Sequence, residues 1–196
     1  MESEKRKQVL DLAKKRFEKF GFNKTTVDEI AKDATISKRT LYQEFGNKER
    51  ILKELFVSET LSVRQAILDQ INKTVDPAEK LKTYIRLALK YLKHNPFIIG
   101  VLHDESGLFK PFLKDKPCII ETGMEETFVN LLKEGIGKGV FREMDEKVIG
   151  HCIFLLFKSL TYGRNSPKRP FGPNQTNEFI NFIINGVIVK SSGAPH

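Results

Sequence analysis

Cysteine is nearly missing from the chain. Cys118 and Cys152 are the two present among 196 residues; neither belongs to a CxxC pair or to a zinc-like grouping with histidine, so a disulfide framework and a structural metal site are both excluded, and a reducing compartment is expected. The signatures of catalysis are missing as well. There is no GxSxG and no HExxH, so nucleophilic and metal-assisted chemistry lack their parts. Gly135-Ile136-Gly137-Lys138-Gly139 gathers glycines around a lysine, but a phosphate loop needs four residues before Gly-Lys, a Ser or Thr after it, and a strand ahead of it. The stretch reads instead as a helix end turning into Val140-Phe141-Arg142. Long apolar runs are also lacking: those around Cys152–Phe157 and Phe179–Val189 are too short or too interrupted to cross a bilayer. The N-terminus, MESEKRKQVLDLAKKRF, is a charged amphipathic helix without the apolar centre of a signal peptide. Strand alternation and internal repeats are missing too. The expectation from these absences is an all-α protein of the cytoplasm that is not an enzyme, holds no cofactor or metal, and does not enter a membrane.

What is present is apolar residues at 40% and a net charge of +8 with a pI near 9.4. The first is enough for a packed core, and the second favours polyanionic partners, nucleic acid first among them. The charge is concentrated near the start, where residues 1–50 hold 13 Lys/Arg against 9 Asp/Glu.

That basic segment carries the most specific pattern in the chain. Thr26 followed by Glu29 fits a capping box and places a helix start at Val27. Val27, Ile30, Ala31 and Ala34 then recur at helical spacing on one face. Ser37 is a second N-cap, opening a helix whose Leu41 and Phe45 turn inward; Gly46 is its expected left-handed stop, and Asn47 caps a third helix beginning at Lys48. With Leu41 and Phe45 buried, Lys38, Arg39, Thr40, Tyr42 and Gln43 occupy or flank the open face of the second helix. Lys, Thr and Tyr bond phosphate oxygens, and Arg forks onto the acceptor edge of guanine. Two short helices and a tight turn with such a face have the build of a helix-turn-helix.

The run TTVDEIAKDATISKRTLYQEFGNKERIL, residues 25–52, resembles the DNA-binding segment of the TetR family of transcriptional regulators, with Thr26, Ile30, Ala31, Ala34, Ile36, Ser37, Leu41, Tyr42, Phe45, Lys48, Glu49 and Leu52 in register. The resemblance implies that Tyr42 and Lys48 grip phosphates and that Thr26 anchors the first motif helix to the DNA backbone. It further implies that Lys38, Arg39 and Thr40 approach bases or their flanking phosphates, so that the expected DNA-binding set is Thr26, Ser37, Lys38, Arg39, Thr40, Tyr42, Gln43 and Lys48. Two positions depart from the family. Thr35 replaces the usual glycine, where a β-branched residue costs about 1–2 kcal/mol in left-handed backbone, which leaves the shape of the turn open. Glu44 puts a negative charge where histidine or tyrosine is common and leaves the orientation of that helix end open.

Beyond the motif the chain reads as helices with polar punctuation. A first helix over about Glu4–Phe20 closes the motif's core with Val9, Leu10, Ala13, Phe17 and Phe20, and Gly21 ends it. The helix from Lys48 runs to about Asn72. Asp76-Pro77-Ala78-Glu79 is a sharp start signal for a helix striped by Leu81, Tyr84, Ile85, Ala88 and Leu92. Asn95-Pro96 ends it and opens a short helix to about Val101. Residues 104–116 read as a connection, followed by helices over about Pro117–Ile136, Asp145–Tyr162 and Asn174–Lys190, the last two separated by the Pro/Gly loop at 163–173. Residues 1–47 are therefore expected to form a three-helix DNA-binding head, and residues 48–196 a helical body that binds an effector and dimerises.

The last two helices are apolar nearly all round, which requires burial on nearly all sides. A second copy supplies the missing cover, and a homodimer through helices at about 146–162 and 174–190 is also what the resemblance implies, with Gly186 placed to let backbones approach. Two heads related by a two-fold axis read a roughly palindromic operator in double-stranded DNA. For the small-molecule effector, aromatic residues offer an apolar lining: Tyr84, Tyr91, Phe97, Phe109, Phe112, Phe128 and Phe154, with His94, His103 and His151 as polar candidates. Two other classes fit the same sequence. One is a basic all-α interaction or membrane-surface module without sequence-specific DNA binding; the other is an all-α enzyme with cryptic machinery.

Overall fold

The local signals of the N-terminal third are realised one by one in the computed structural model, which describes residues 3–95, 97–98, 101, 119–161 and 172–189. Helix α1 spans Ser3–Phe20 and α2 spans Val27–Asp33. The Thr26 side chain accepts from the Glu29 backbone N–H while the Glu29 carboxylate accepts from the Thr26 backbone N–H, completing the capping box. Ser37 accepts from Thr40 N–H to open α3, Lys38–Phe45. Asn47 accepts from Arg50 N–H to open α4, Lys48–Ile71. Gly21 and Gly46 take the left-handed backbone, with φ of 82° and 78°, that ends a helix without a Cβ penalty.

These four helices enclose one core. Val9, Leu10, Ala13 and Phe17 of α1 meet Ile30 and Ala31 of α2, Leu41 and Phe45 of α3, and Ile51, Leu52, Leu55 and Phe56 of α4, all buried. The first half of α4 thus shares the buried cluster of α1–α3. Phe97, Ile98 and Val101, from the short stretch after α5, belong to the same buried cluster.

The body is built on α5 (Pro77–Lys93), α6 (Ile119–Gly137), α7 (Glu146–Thr161) and α8 (Pro173–Val187). Asp76 caps α5 by accepting from the N–H groups of Ala78 and Glu79, with proline at the first helical position. Helix α6 packs on α4, α5 and α7, while α8 packs on α5. Tyr84, Phe128 and Phe157 form the aromatic centre of the body core; the Tyr84 and Phe128 rings meet edge-on at 5.1 Å between centroids. The glycines at 135–139 have structural work. A Cβ on Gly135 would lie 2.0 Å from the buried Phe141 ring, Gly139 turns the chain with φ 67°, and Lys138 pairs with Glu134.

The sequence and the structure differ mainly at ends. Helix α8 stops at Val187, three residues before the expected Lys190, because Ile188 leaves the helix for an isolated antiparallel bridge to Phe141, a pairing that no strand pattern announced. The expected connection at 104–116 and nearly all of the loop at 163–173 lie outside the described residues. Of the short helix expected to end near Val101, Phe97, Ile98 and Val101 are described and buried.

Candidate functional site

Helix α3 offers its polar face to solvent because Leu41 and Phe45, four residues apart, are fixed in the head core. Lys38, Arg39, Tyr42 and Gln43 are exposed and Thr40 is half-buried. Thr26 and Ser37 stand exposed at the N-termini of α2 and α3, where each cap also places a hydroxyl beside early backbone N–H groups. All eight residues expected to meet DNA therefore lie on the α2–α3 surface or at its border with α4, and both lysines among them reach across to other segments of the chain. Lys38 Nζ pairs with Asp28 of α2 at 2.7 Å, which raises its pKa through that hydrogen bond. Lys48 Nζ donates to the carbonyls of Phe22 and Thr25, each at 2.8 Å, and stands 4.2 Å from the centre of the Phe22 ring. An ammonium has three donors. Lys48 thus ties the α1–α2 loop to the start of α4 with two of its three donors.

The two departures from the family pattern have definite structures. Thr35 has φ 53°; Ile36 N–H donates to Ala31 C=O and Thr35 N–H to Lys32 C=O, a Schellman turn with threonine at the position glycine usually fills. The turn keeps its shape and carries the strain. Glu44 faces back toward α1, where its carboxylate accepts from Arg6 Nη1 at 3.2 Å. Arg6 also forks onto Glu54 of α4 and stacks 4.3 Å from the centre of the Phe45 ring, so one arginine holds α1, α3 and α4 together.

A second site lies where the head core meets the body core. A cavity of about 50 Å³, partly open to solvent, is lined by Thr60, Leu61, Val63, Arg64 and Ile67 of α4, Tyr84, Ala88, Tyr91 and Leu92 of α5, Ile98, and Met124 of α6. Val63, Leu92 and Met124 pack against both cores. Burial pushes the Tyr84 hydroxyl up to about 12, partly offset by a hydrogen bond with Thr127 and the nearby Arg64 charge.

Of the residues expected to line an effector site, the structure brings Tyr84 and Tyr91 together here. Phe128 and Phe154 are instead packed in the body core and Phe97 in the head core. His94 is exposed, with Nδ1 2.8 Å from Lys90 C=O, and His151 is exposed on α7, pairing with Glu125 at 2.9 Å; neither reaches the cavity. His103, Phe109 and Phe112 lie outside the described residues. Sequence reasoning missed Arg64. Its signal is position: it falls four residues after Thr60 and three before Ile67, on the buried stripe of α4, where a charge is unusual. Among the described residues no group of His, Cys, Asp and Glu is placed to hold a metal ion, and no helix is long and apolar enough to cross a membrane.

Comparison with known proteins agrees with this geometry. Residues 9–55 match the family model for bacterial regulatory proteins of the tetR family. An HTH-type transcriptional repressor, KstR2 of Mycolicibacterium smegmatis, is 28% identical over 98% of this chain and 94% of its own. The fold is shared with the fatty acid degradation regulator FadR from Bacillus halodurans, at a TM-score of 0.71 and 24% identity over 94% of this chain and 96% of that one. FadR from Bacillus subtilis, solved with stearoyl-CoA, gives 0.69 and 23% over 92% and 98%. A capped helix-turn-helix with a polar, basic face matches the tetR-family model, and the helical body beneath it has the fold of these relatives end to end: the chain is a ligand-responsive, DNA-binding transcriptional regulator with a tetR-type head.

Proposed function

We propose that the chain acts as a homodimeric repressor whose two α3 helices occupy successive major grooves of a palindromic operator and are released by a largely apolar effector in the α4–α5–α6 cavity. The observation that carries the mechanism is the placement of that cavity. Three of its lining residues, Val63, Leu92 and Met124, pack against both the head core and the body core, so filling it acts on the seam that sets the head's angle. Helix α4 runs through both cores and is the lever. Coupling follows if the effector binds one head spacing better than the other.

The effector class is supported by apolar walls and by the likeness to a FadR solved with stearoyl-CoA. The dimer is supported by apolar residues left exposed on the single chain: Val148, Leu155 and Leu156 on α7, and Phe182 on α8, 68% exposed. Gly186, also on α8, has open space over its Cα. On the head, Arg39 reads bases while Thr26, Ser37, Thr40, Tyr42 and Lys48 hold phosphates; Lys38 exchanges Asp28 for phosphate, and Gln43 contacts the groove edge. The head extends through the first half of α4, and the effector-binding and dimerisation body takes the rest.

Gel-shift competition between duplex from upstream of the protein's own gene and random duplex, at moderate salt, tests this reading. Specific binding by a dimer is expected, and equal binding to both duplexes overturns it, leaving a basic surface module. Lys48→Ala should weaken binding to every sequence and flatten the salt dependence by about one unit, whereas Arg39→Ala should change sequence preference. A uniform loss for both would refute the assigned roles.

A further inference from the structure

We infer that Arg64 anchors an acidic head group on the effector, so that the cavity takes an anionic amphiphile, a carboxylic or phosphoric acid on an apolar chain, in preference to a neutral lipophile. This rests on the α4–α5–α6 cavity being the effector site. Arg64 Nε is buried and has no hydrogen-bond partner among the described residues, while the side chain as a whole is 35% exposed. A buried donor left unmade is costly, and native structures keep few of them. Its guanidinium is cradled rather than adrift. On α6, a Cβ added to Gly123 would lie 3.1 Å from Nη1 and 3.2 Å from Cζ, so the glycine clears the space in which the planar group rests.

The charge is only loosely balanced. Among the described residues it pairs with Glu126, which stands 3.8 Å from Nη2, beyond hydrogen-bonding distance, with a side chain 61% exposed. Thr60 is occupied, donating to Phe56 C=O at 2.7 Å, and much of the remaining wall is apolar: Leu61, Val63, Ile67, Ala88, Leu92 and Met124. A rigid guanidinium fork in such surroundings matches a carboxylate or phosphate in two hydrogen bonds. An ionised acid would otherwise be excluded from a site of this kind, so selectivity for acid over alcohol is the direct mark of the anchor.

Titration calorimetry on the full-length, delipidated protein with decanoate, decyl phosphate and 1-decanol at neutral pH tests the inference. One or both acids should bind at least tenfold more tightly than the alcohol. Arg64→Met should abolish that preference by weakening the acids at least tenfold more than decanol, and Arg64→Lys, a point charge without the fork, should restore part of it. Gly123→Ala keeps the arginine but crowds its guanidinium, and should weaken the acids alone; it serves as the second variant if Arg64→Met fails to fold. Equal binding of acid and alcohol by the unmodified protein, or an equal loss of both in a folded Arg64→Met protein, overturns the anchor and leaves the cavity reading standing. Binding of none of the three amphiphiles removes the cavity reading and the anchor with it.

Discussion

Thr35 is held in left-handed backbone, φ 53°, at the turn that sets α3 against α2. Left-handed backbone costs a non-glycine residue about 1–2 kcal/mol, while glycine there gives back roughly 0.5–1 kcal/mol through the greater freedom of the unfolded chain. Thr35→Gly should therefore stabilise the protein by up to about 1 kcal/mol, raising the melting temperature by a few degrees for a chain of this size. A lower melting temperature would show that the threonine makes compensating contacts. At this scale the sequence was legible wherever the deciding interaction is local. Thr26, Ser37, Asn47 and Asp76 were readable as caps because each bonds a backbone group two or three residues away. Lys48, Glu44 and Arg64 were not fully readable, since their neighbours lie on distant segments and no spacing along the chain records them.

At the scale of the element, α5 and α6 are clamped by a carboxylate shared between two ammonium groups. Glu134 accepts from Lys138 at 2.7 Å and from Lys80 at 2.8 Å, and these hydrogen bonds, Lys138 first, hold its carboxyl below the ordinary 4.5. A depressed carboxylate pKa contributes stability that is present above the unfolded value and lost as pH falls through the folded one. Glu134→Gln should therefore cost on the order of 1 kcal/mol at neutral pH, and the difference should close as pH drops below about 4.5. Urea unfolding at pH 7 and pH 3 reads both limits, and a gap that persists unchanged at pH 3 would refute the ionic account. Helix positions were legible to within a few residues, because apolar period and caps agree. The far end of α8 was not, because the Phe141–Ile188 bridge joins segments distant in sequence. The cavity was legible only through Tyr84 and Tyr91: aromatic content reports a core, and which rings line a hollow depends on how three helices meet.

For the whole molecule, the open question is what covers α7 and α8. Phe182 is 68% exposed in the single chain, so Phe182→Asp should leave the fold intact. It should nevertheless place a charge in the proposed two-fold interface, giving a monomer by sedimentation. Affinity for a palindromic duplex should fall more than tenfold, since each head then binds without the effective concentration its partner provides. A variant that sediments as an unchanged dimer would place the interface elsewhere.

The head's core also has a consequence for anyone wishing to re-target this regulator. Phe97, Ile98 and Val101 are buried in the same cluster as the motif helices, so the reading unit ends in space far beyond where it ends along the chain. Residues 3–58 moved as a cassette onto a foreign body would arrive with part of this buried cluster missing, sticky and poorly set in angle. New specificity is better written on the surface of α3, side chain by side chain, with the native body left underneath.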